Sequence, residues 1–261
     1  MIQRCTLRSV ERLEKFWHDL VLTLLFTMDM NGAVVIHCPE MPLPLFNNAT
    51  SINVNEDEAE NLLIRVINYF SSRGFPFACF RISPLTRPKS FTSLLEQYGF
   101  ERKPEHEQSV MVFQGKSLED KLNPAVKIKE ISEDEINLFD RLLIASFEMP
   151  SEWKAVFDKI NLEWMRKGAK HYLAYVEGKP VGTTTLISLM KTGGIFSVGT
   201  LKEYRRRGIG TTLTVHALMD SIDKRNDLHT LQATKGGDAE RLYQKIGFEI
   251  DHTISYFVKK F

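Results

Sequence analysis

The sequence predicts an α+β chain of two domains, and three observations predict it. Apolar residues recur at helical spacing in some segments and gather into short β-rich runs in others, and both halves of the chain show the mixture. The length of 261 residues exceeds the roughly 100–200 of one typical domain. Between the halves, residues 115–124 are charged and polar, the composition of a boundary. Domains over residues 1–118 and 122–261 follow.

In the first half, Val10, Leu13, Phe16, Trp17, Leu20 and Leu24 give the apolar face of a helix over residues 9–28. Residues 33–37 read as a strand, and a loop punctuated by Pro42 and Pro44 follows. Residues 50–54 read as a second strand. A helix over 56–72 turns Leu62, Leu63, Val66, Ile67 and Phe70 inward, and Gly74 and Pro76 stop it. Residues 77–82 form a buried strand, 90–98 a helix ended by Gly99, and 109–113 a further strand.

In the second half, a strand over 126–131 precedes helices over 133–147 and 151–167. Residues 172–176 and 181–189 form a hairpin around Glu177-Gly178-Lys179-Pro180. Gly193 and Gly194 turn the chain into a strand over 195–201. A helix over 208–224 follows, then a strand over 230–233, a helix over 238–246 and a strand over 253–259. There is an internal echo. Leu94-Leu95-Glu96-Gln97-Tyr98-Gly99-Phe100-Glu101 matches the pattern of Leu242-Tyr243-Gln244-Lys245-Ile246-Gly247-Phe248-Glu249, and each half runs helix, strand, helix, Gly-Phe, strand.

Charge excludes several functions. Lys+Arg 34 against Asp+Glu 33 leaves a net charge of +1, too little to hold nucleic acid or an anionic membrane non-specifically. An anion site must be local. The apolar run 20–28, bracketed by Asp19 and Asp29, is too short for a bilayer, which needs about 20 apolar residues. Glu11 and Glu14 interrupt any signal-peptide pattern, so the chain reads as cytoplasmic. Cys5, Cys38 and Cys79 are widely spaced and odd in number, which fits neither a disulfide framework nor a metal site.

The most informative stretch is Tyr204-Arg205-Arg206-Arg207-Gly208-Ile209-Gly210-Thr211, between a β-rich run and a helix. A helix start offers unpaired N–H groups and the positive end of the helix dipole, and Arg205, Arg206 and Arg207 add attraction for an anion. Gly208 and Gly210 remove side chains that would keep a diphosphate away. No Gly-Lys-Ser/Thr follows, and the G-x-G-x-x-G spacing is missing, so neither common nucleotide loop applies. A nucleotide and coenzyme A both remain open on this ground, as does an Arg-rich helix cap whose glycines serve packing.

The whole tract resembles the GNAT superfamily of acyl-CoA-dependent N-acetyltransferases. That superfamily's motif, Arg/Gln-x-x-Gly-x-Gly/Ala at a helix start, is matched by Arg205-Arg206-Arg207-Gly208-Ile209-Gly210. Val198-Gly199-Thr200-Leu201 ahead of it looks like the family's central strand and its exit, and Glu177-Gly178-Lys179-Pro180-Val181-Gly182 fits the preceding hairpin. Downstream, Ala239-Glu240-Arg241-Leu242-Tyr243-Gln244-Lys245-Ile246-Gly247-Phe248 resembles the family's Ala-x-x-x-Tyr-x-x-x-Gly-Phe signature. The likeness spans about residues 126–260. It implies a GNAT fold, a central mixed and mostly antiparallel sheet flanked by helices, in the C-terminal half.

The resemblance also implies roles. Backbone groups of Val198, Gly199, Thr200 and Leu201 would pair with the pantetheine arm of acetyl-CoA, and the amides of Arg206 through Thr211 would hold its pyrophosphate. Tyr243 matches the tyrosine that protonates the departing thiolate, or it fills a helix–strand interface. The implied reaction is direct attack of a primary amine on the thioester in a ternary complex. An acyl-CoA-binding sensor without turnover is the alternative. The central strand carries no Asp or Glu, and Glu148 and His171 are the candidates for a base. Lys235-Gly236-Gly237-Asp238 stands where many members carry an Asn.

Residues 45–114 resemble the divergent, partly GNAT-like front portion of a subset of these proteins, through Arg73-Gly74-Phe75-Pro76-Phe77 and the tract from Pro84 to Phe100. This half has no Arg-x-x-Gly-x-Gly, and Leu95 occupies the place of Tyr243. The expectation is a catalytically silent domain that walls one side of the acceptor site.

Overall fold

The computed structural model describes residues 7–23 and 26–261. Cys5 and Leu24 lie outside the described residues. In chain order the elements are α1 (Leu7–Val21), β1 (Thr27–Asp29), β2 (Val34–Ile36), β3 (Asn48–Thr50), α2 (Ala59–Ser71), β4 (Phe77–Ile82), α3 (Phe91–Gln97), β5 (Glu101–Arg102) and β6 (Gln108–Phe113). There follow β7 (Lys127–Glu130), α4 (Ile136–Ser146), α5 (Lys154–Arg166), β8 (Lys170–Val176), β9 (Lys179–Leu189), β10 (Thr192–Thr200), α6 (Ile209–Asp223), β11 (Leu228–Thr234), α7 (Asp238–Ile246) and β12 (Phe248–Lys260). The chain is α+β. Among the described residues no helix is long and apolar enough to cross a membrane.

Two compact units emerge, and they are not simply the two halves. Unit 1 takes residues up to Val110 together with Ala233–Gly237 and Ile250–Phe261. Unit 2 takes Met111–Gln232 and Asp238–Glu249. The polar stretch 115–124 therefore lies inside unit 2. Composition marked it as a boundary because it is solvated, but Lys121 Nζ donates to Lys245 C=O and the Asn123 amide is bonded at both its backbone and side chain.

In unit 1 the strands run in the order β1-β2-β3-β4-β12, with β5 beside β12. The β3–β4 pair is parallel and holds at one register position, Ala49 with Phe80, whereas β12 pairs antiparallel with the whole of β4. Every residue of β4 is buried, because both faces of this strand are covered. Ala78, Phe80 and Ile82 join Leu62, Leu63 and Phe70 of α2 and Phe91 and Leu95 of α3 in one apolar core. Phe80 meets Phe91 and Phe100 edge-on at 5.4 and 5.3 Å. Arg81 points the other way and is clasped by Glu14 of α1 at 2.9 Å.

Two readings of this half are corrected. The helix expected over 9–28 ends at Val21, where Thr23 Oγ1 takes up the Leu20 carbonyl at 2.6 Å. Met28 belongs instead to β1, which turns into β2 through Asn31 (φ 49°) and Gly32 (φ 106°). Asn-Gly is a strong hairpin signal, and the apolar periodicity drew attention from it. The strand expected over 50–54 occupies Asn48–Thr50, since left-handed backbone at Ser51 (φ 55°) ends the ladder there.

Unit 2 orders its strands β11-β10-β9-β8-β7. The hairpins are antiparallel, and β10–β11 is parallel. One sheet face is covered by α6, whose Ile209 and Leu213 pack with Val126, Ala174 and Val181. The other is covered by α4 and α5, with Phe139, Leu142 and Leu143 against Ile131 and Leu173. Gly193 and Gly194 lie inside β10 rather than at a turn. The turn is Met190–Lys191, with φ of 46° and 58°, a conformation that ordinarily selects Gly or Asn and so left no trace in residue type.

Candidate active site

The site is built where two parallel strands part. Pairing of β10 with β11 runs from Thr192 with Leu228 to Ile195 with Leu231 and stops, although both strands continue. The parting has a local cause. A bulge shifts the β9–β10 register between Phe196 and Gly199, and Ser197 adopts a left-handed φ of 54°. Thr183 Oγ1 donates to Ser197 C=O at 2.8 Å and Thr184 Oγ1 to Phe196 C=O at 3.2 Å, so buried threonines of β9 hold the bulge.

Beyond the bulge, Gly199 is glycine by necessity. A Cβ there would lie 2.8 Å from Ser146 Cβ and 3.0 Å from Thr183 Oγ1. Val198 and Thr200 flank it on the same strand. The exit is partly committed: Thr200 C=O accepts from Arg205 Nε, and Leu201 N–H donates to Val181 C=O at 2.9 Å. Leu201 sends its side chain to the α4 core.

The loop after β10 turns sharply twice, with φ of 63° at Arg206 and 75° at Gly208, which caps α6. The first helical bond runs from Thr212 N–H to Gly208 C=O at 2.9 Å. The N–H groups of Ile209, Gly210 and Thr211 are therefore left without intrahelical partners at the positive end of a 15-residue helix. Gly210 differs from Gly199. A Cβ on it would make only ordinary contacts, 3.6 Å to Leu242 Cδ1 and 3.9 Å to Thr200 Oγ1. Packing within the protein does not demand glycine there, whereas close approach of a ligand to the amides would.

The three arginines do different jobs. Arg205 was expected among the ligand-binding residues, but its guanidinium is occupied by the protein: Nη2 donates to Ser146 C=O at 2.7 Å and lies 3.2 Å from Glu148 Oε1. It clamps the loop to the end of α4. Arg207 lies over the Tyr204 ring at 5.2 Å. Arg206 projects from the turn itself and is exposed. Ile209 is buried in the α6 core and offers only its backbone.

Asn123 escaped sequence reading. Its Nδ2 donates to Arg207 C=O at 2.9 Å and its N–H to Thr212 Oγ1 at 3.0 Å, so it fastens the loop and the first turn of α6 together. An Asn before a Pro in a polar stretch gives no signal of such a role.

Tyr243 sits on α7, one residue from the Leu242 that meets Gly210. It is buried, and burial pushes its phenol well above the ordinary value. Among the described residues its hydroxyl has no hydrogen-bond partner, and its ring contacts Phe248 at 6.2 Å. The phenol thus stays protonated at any physiological pH.

Neither base candidate keeps that role. His171 is fully buried, with Nδ1 2.7 Å from Thr185 Oγ1, Nε2 3.0 Å from Asn161 C=O and its ring against Phe139. Burial lowers it to about 4, so it is a neutral core residue. Glu148 is exposed and paired with Arg205 and Lys202. The thiols of Cys38 and Cys79 are buried, and burial pushes Cys38 up to about 11 and Cys79 well up, so neither is a ready nucleophile.

These features define a two-unit α+β protein with a parted parallel pair and a glycine-started helix beside the parting. Residues 167–250 match the family model of an acetyltransferase (GNAT) domain. Solved structures share the fold over nearly the whole chain. A GCN5-related N-acetyltransferase from Kribbella flavida is 14% identical with a TM-score of 0.69, over 96% of this chain and 95% of that one. One from Sphaerobacter thermophilus is 16% identical with a TM-score of 0.68, over 96% and 85%. A tandem GNAT protein from the clavulanic acid biosynthesis pathway is 12% identical with a TM-score of 0.66, over 98% and 96%. No curated protein matches the chain by sequence. The chain has the GNAT superfamily fold, with a GNAT domain in its C-terminal half and a second, GNAT-like half before it.

Proposed function

We infer that the chain transfers an acetyl or other short acyl group from acyl-CoA to a primary amine. The observation that carries this reading is that Gly210 has room for a Cβ which packing does not forbid, beside free amides at a helix start and next to a parted strand pair. The pantetheine arm would lie along Val198 and Gly199, as an added strand, and the pyrophosphate would accept from the amides of residues 206–211 with Arg206 alongside.

Attack by the neutral amine on the thioester carbon forms the C–N bond as the C–S bond breaks. The nitrogen sheds a proton and the sulfur needs one. Tyr243, held protonated by burial, is the donor to the sulfur, and water carries away the amine's proton in place of a base. Burial makes the phenol a weak acid, so water that has taken the amine's proton returns one to Tyr243 as it protonates the sulfur. Unit 1 is silent in this reaction: acidic Glu56, Asp57 and Glu58 precede its helix α2, and Leu95 stands where Tyr243 does.

Isothermal titration of acetyl-CoA into the protein and into a folded Gly208→Asp/Gly210→Asp variant tests the reading. Micromolar binding by the parent alone supports it. Binding without thiol release for any amine leaves the sensor, and no binding by the parent ends the proposal.

A further inference from the structure

At the parted end of β10, the face covered by α4 and α5 carries aromatic rings and an unmet hydroxyl. Ser146 and Phe147 close α4 directly over Gly199: its Cβ would fall 2.8 Å from Ser146 Cβ and 3.2 Å from Phe147 Cε2. Phe196, just before the bulge, turns to the same face, since it meets Trp164 of α5 with ring centroids 6.4 Å apart. Phe147 is nonetheless 46% exposed, although it sits on the sheet rather than at a chain tip. Trp164 and Phe196 are half-buried.

The Ser146 side chain is 5% exposed, and its Oγ is buried with no hydrogen-bond partner. A buried hydroxyl left unpaired is costly, and it marks a place where a polar group from outside would be welcome. It lies against Gly199 of β10, the strand that would hold the pantetheine arm in the acyl-transfer reading. Three carboxylates lie nearest along the chain, and one of them, Glu152, is exposed with Ser151 Oγ 3.5 Å from its Oε2. Glu148 is paired with Lys202 and Arg205, and Asp140 takes Asn161 Nδ2 at 2.6 Å and is pushed up to about 8 by burial. The part of this face beside Gly199 therefore offers apolar rings and a neutral hydroxyl, which suit an aromatic body better than a polycation.

We propose that the amine accepted at this end of β10 carries an aromatic, otherwise uncharged body. Its ring lies against Phe147, Trp164 and Phe196, and its nitrogen donates to Ser146 Oγ as it faces the thioester. The assignment rests on the acyl-transfer reading. The step is balanced within it: the ammonium first loses a proton to water, the C–N bond forms and the C–S bond breaks, the nitrogen loses its second proton, and the sulfur leaves as the CoA thiol.

The test follows CoA thiol release from acetyl-CoA with phenethylamine, tryptamine, spermidine and a lysine peptide as acceptors, beside titration of acetyl-CoA alone. We expect kcat/KM for phenethylamine or tryptamine to exceed that for spermidine and the peptide by about 10-fold or more. Phe147→Ala should cut the phenethylamine-to-spermidine ratio about 10-fold while acetyl-CoA still binds, and Ser146→Ala should raise the KM for phenethylamine several-fold. Preference for spermidine or the peptide overturns the assignment. So does an unaltered ratio in Phe147→Ala, or binding of acetyl-CoA with no turnover of any of the four amines. Absence of acetyl-CoA binding by the parent overturns the acyl-transfer reading itself, and the acceptor class with it.

Discussion

The two units contain the same parting of parallel strands, and they treat it in opposite ways. In unit 2, β10 and β11 separate after four register pairs, and the chain leaves β10 through a loop that ends on Gly208, with Gly210 in the first turn of α6. In unit 1, β3 and β4 separate after one pair, and the chain then bonds across the gap: Arg87 N–H donates to Ile52 C=O at 3.1 Å and Val54 N–H to Arg87 C=O at 3.3 Å. The bridge between Asn53 and Arg87 completes the seam. The helix beyond begins with Glu56, Asp57 and Glu58 in unit 1 and with Gly208 in unit 2. Acids suit a helix start, because they face the positive end of the dipole, but they occupy the field that would otherwise draw a phosphate. A shared topology thus becomes, in the acyl-transfer reading, a binding cleft or a plain core according to a few loop residues.

The sharpest way to break this contrast is to exchange the loop chemistry. Gly208→Asp/Gly210→Asp should weaken acetyl-CoA binding by about 10³-fold, or about 4 kcal/mol. Glu56→Gln/Asp57→Asn/Glu58→Gln in unit 1 should leave it within about 2-fold. If the second variant altered the affinity as much as the first, the cleft would have been placed in the wrong unit.

Next in size is the pair Leu95 and Tyr243, each four residues before a Gly-Phe. Leu95→Ala should cost about 3 kcal/mol of unfolding free energy, from a fully buried core position, and leave kcat unchanged. Tyr243→Phe should do the reverse: about 10²-fold lower kcat with little change in stability or in acetyl-CoA affinity. A stability loss in Tyr243→Phe with normal turnover would return Tyr243 to the role of a packing residue.

Buried carboxylates extend the comparison to pH. Burial pushes Glu14 of unit 1 up, but the Arg81 guanidinium and the bond from His252 outweigh it and hold the group at about 2. Its contribution to stability is complete above the ordinary value of 4.5 and is lost as pH falls through about 2. Asp140 of unit 2 is pushed up to about 8 by burial, so its contribution is complete below 3.8 and is lost as pH rises through about 8. Amide protection factors should fall in α1 toward low pH and in α4 and α5 toward pH 8. Asp140→Asn should flatten the second trend. The smallest effect belongs to Glu148→Gln: an exposed pair contributes about 0–1 kcal/mol, so acetyl-CoA affinity should drop no more than about 5-fold.

Some of this was legible in the sequence for physical reasons. Phe77–Ile82 and Asp238–Ile246 were read to the residue, because a fully apolar run between turn residues and a helix before Gly-Phe leave little choice of boundary. Gly208 was legible because positive φ selects glycine. What escaped depends on neighbours distant in sequence. Arg205 reads as an anion ligand until Ser146 and Glu148 are seen to hold it. His171 reads as a base until Asn161 and Thr185 close over it. Asn123 looks like linker, and Ser146 carries meaning only because Gly199 lies beneath it.

The pairing of β12 with β4 has a consequence for how the molecule is made. Unit 1 needs residues 250–261 to complete its sheet, and these are translated after the whole of unit 2. Domains commonly fold in the order in which they leave the ribosome. Here one flank of β4 stays uncovered until residues 255–260, which follow unit 2 in the sequence, are made, so the unit begun first is completed last.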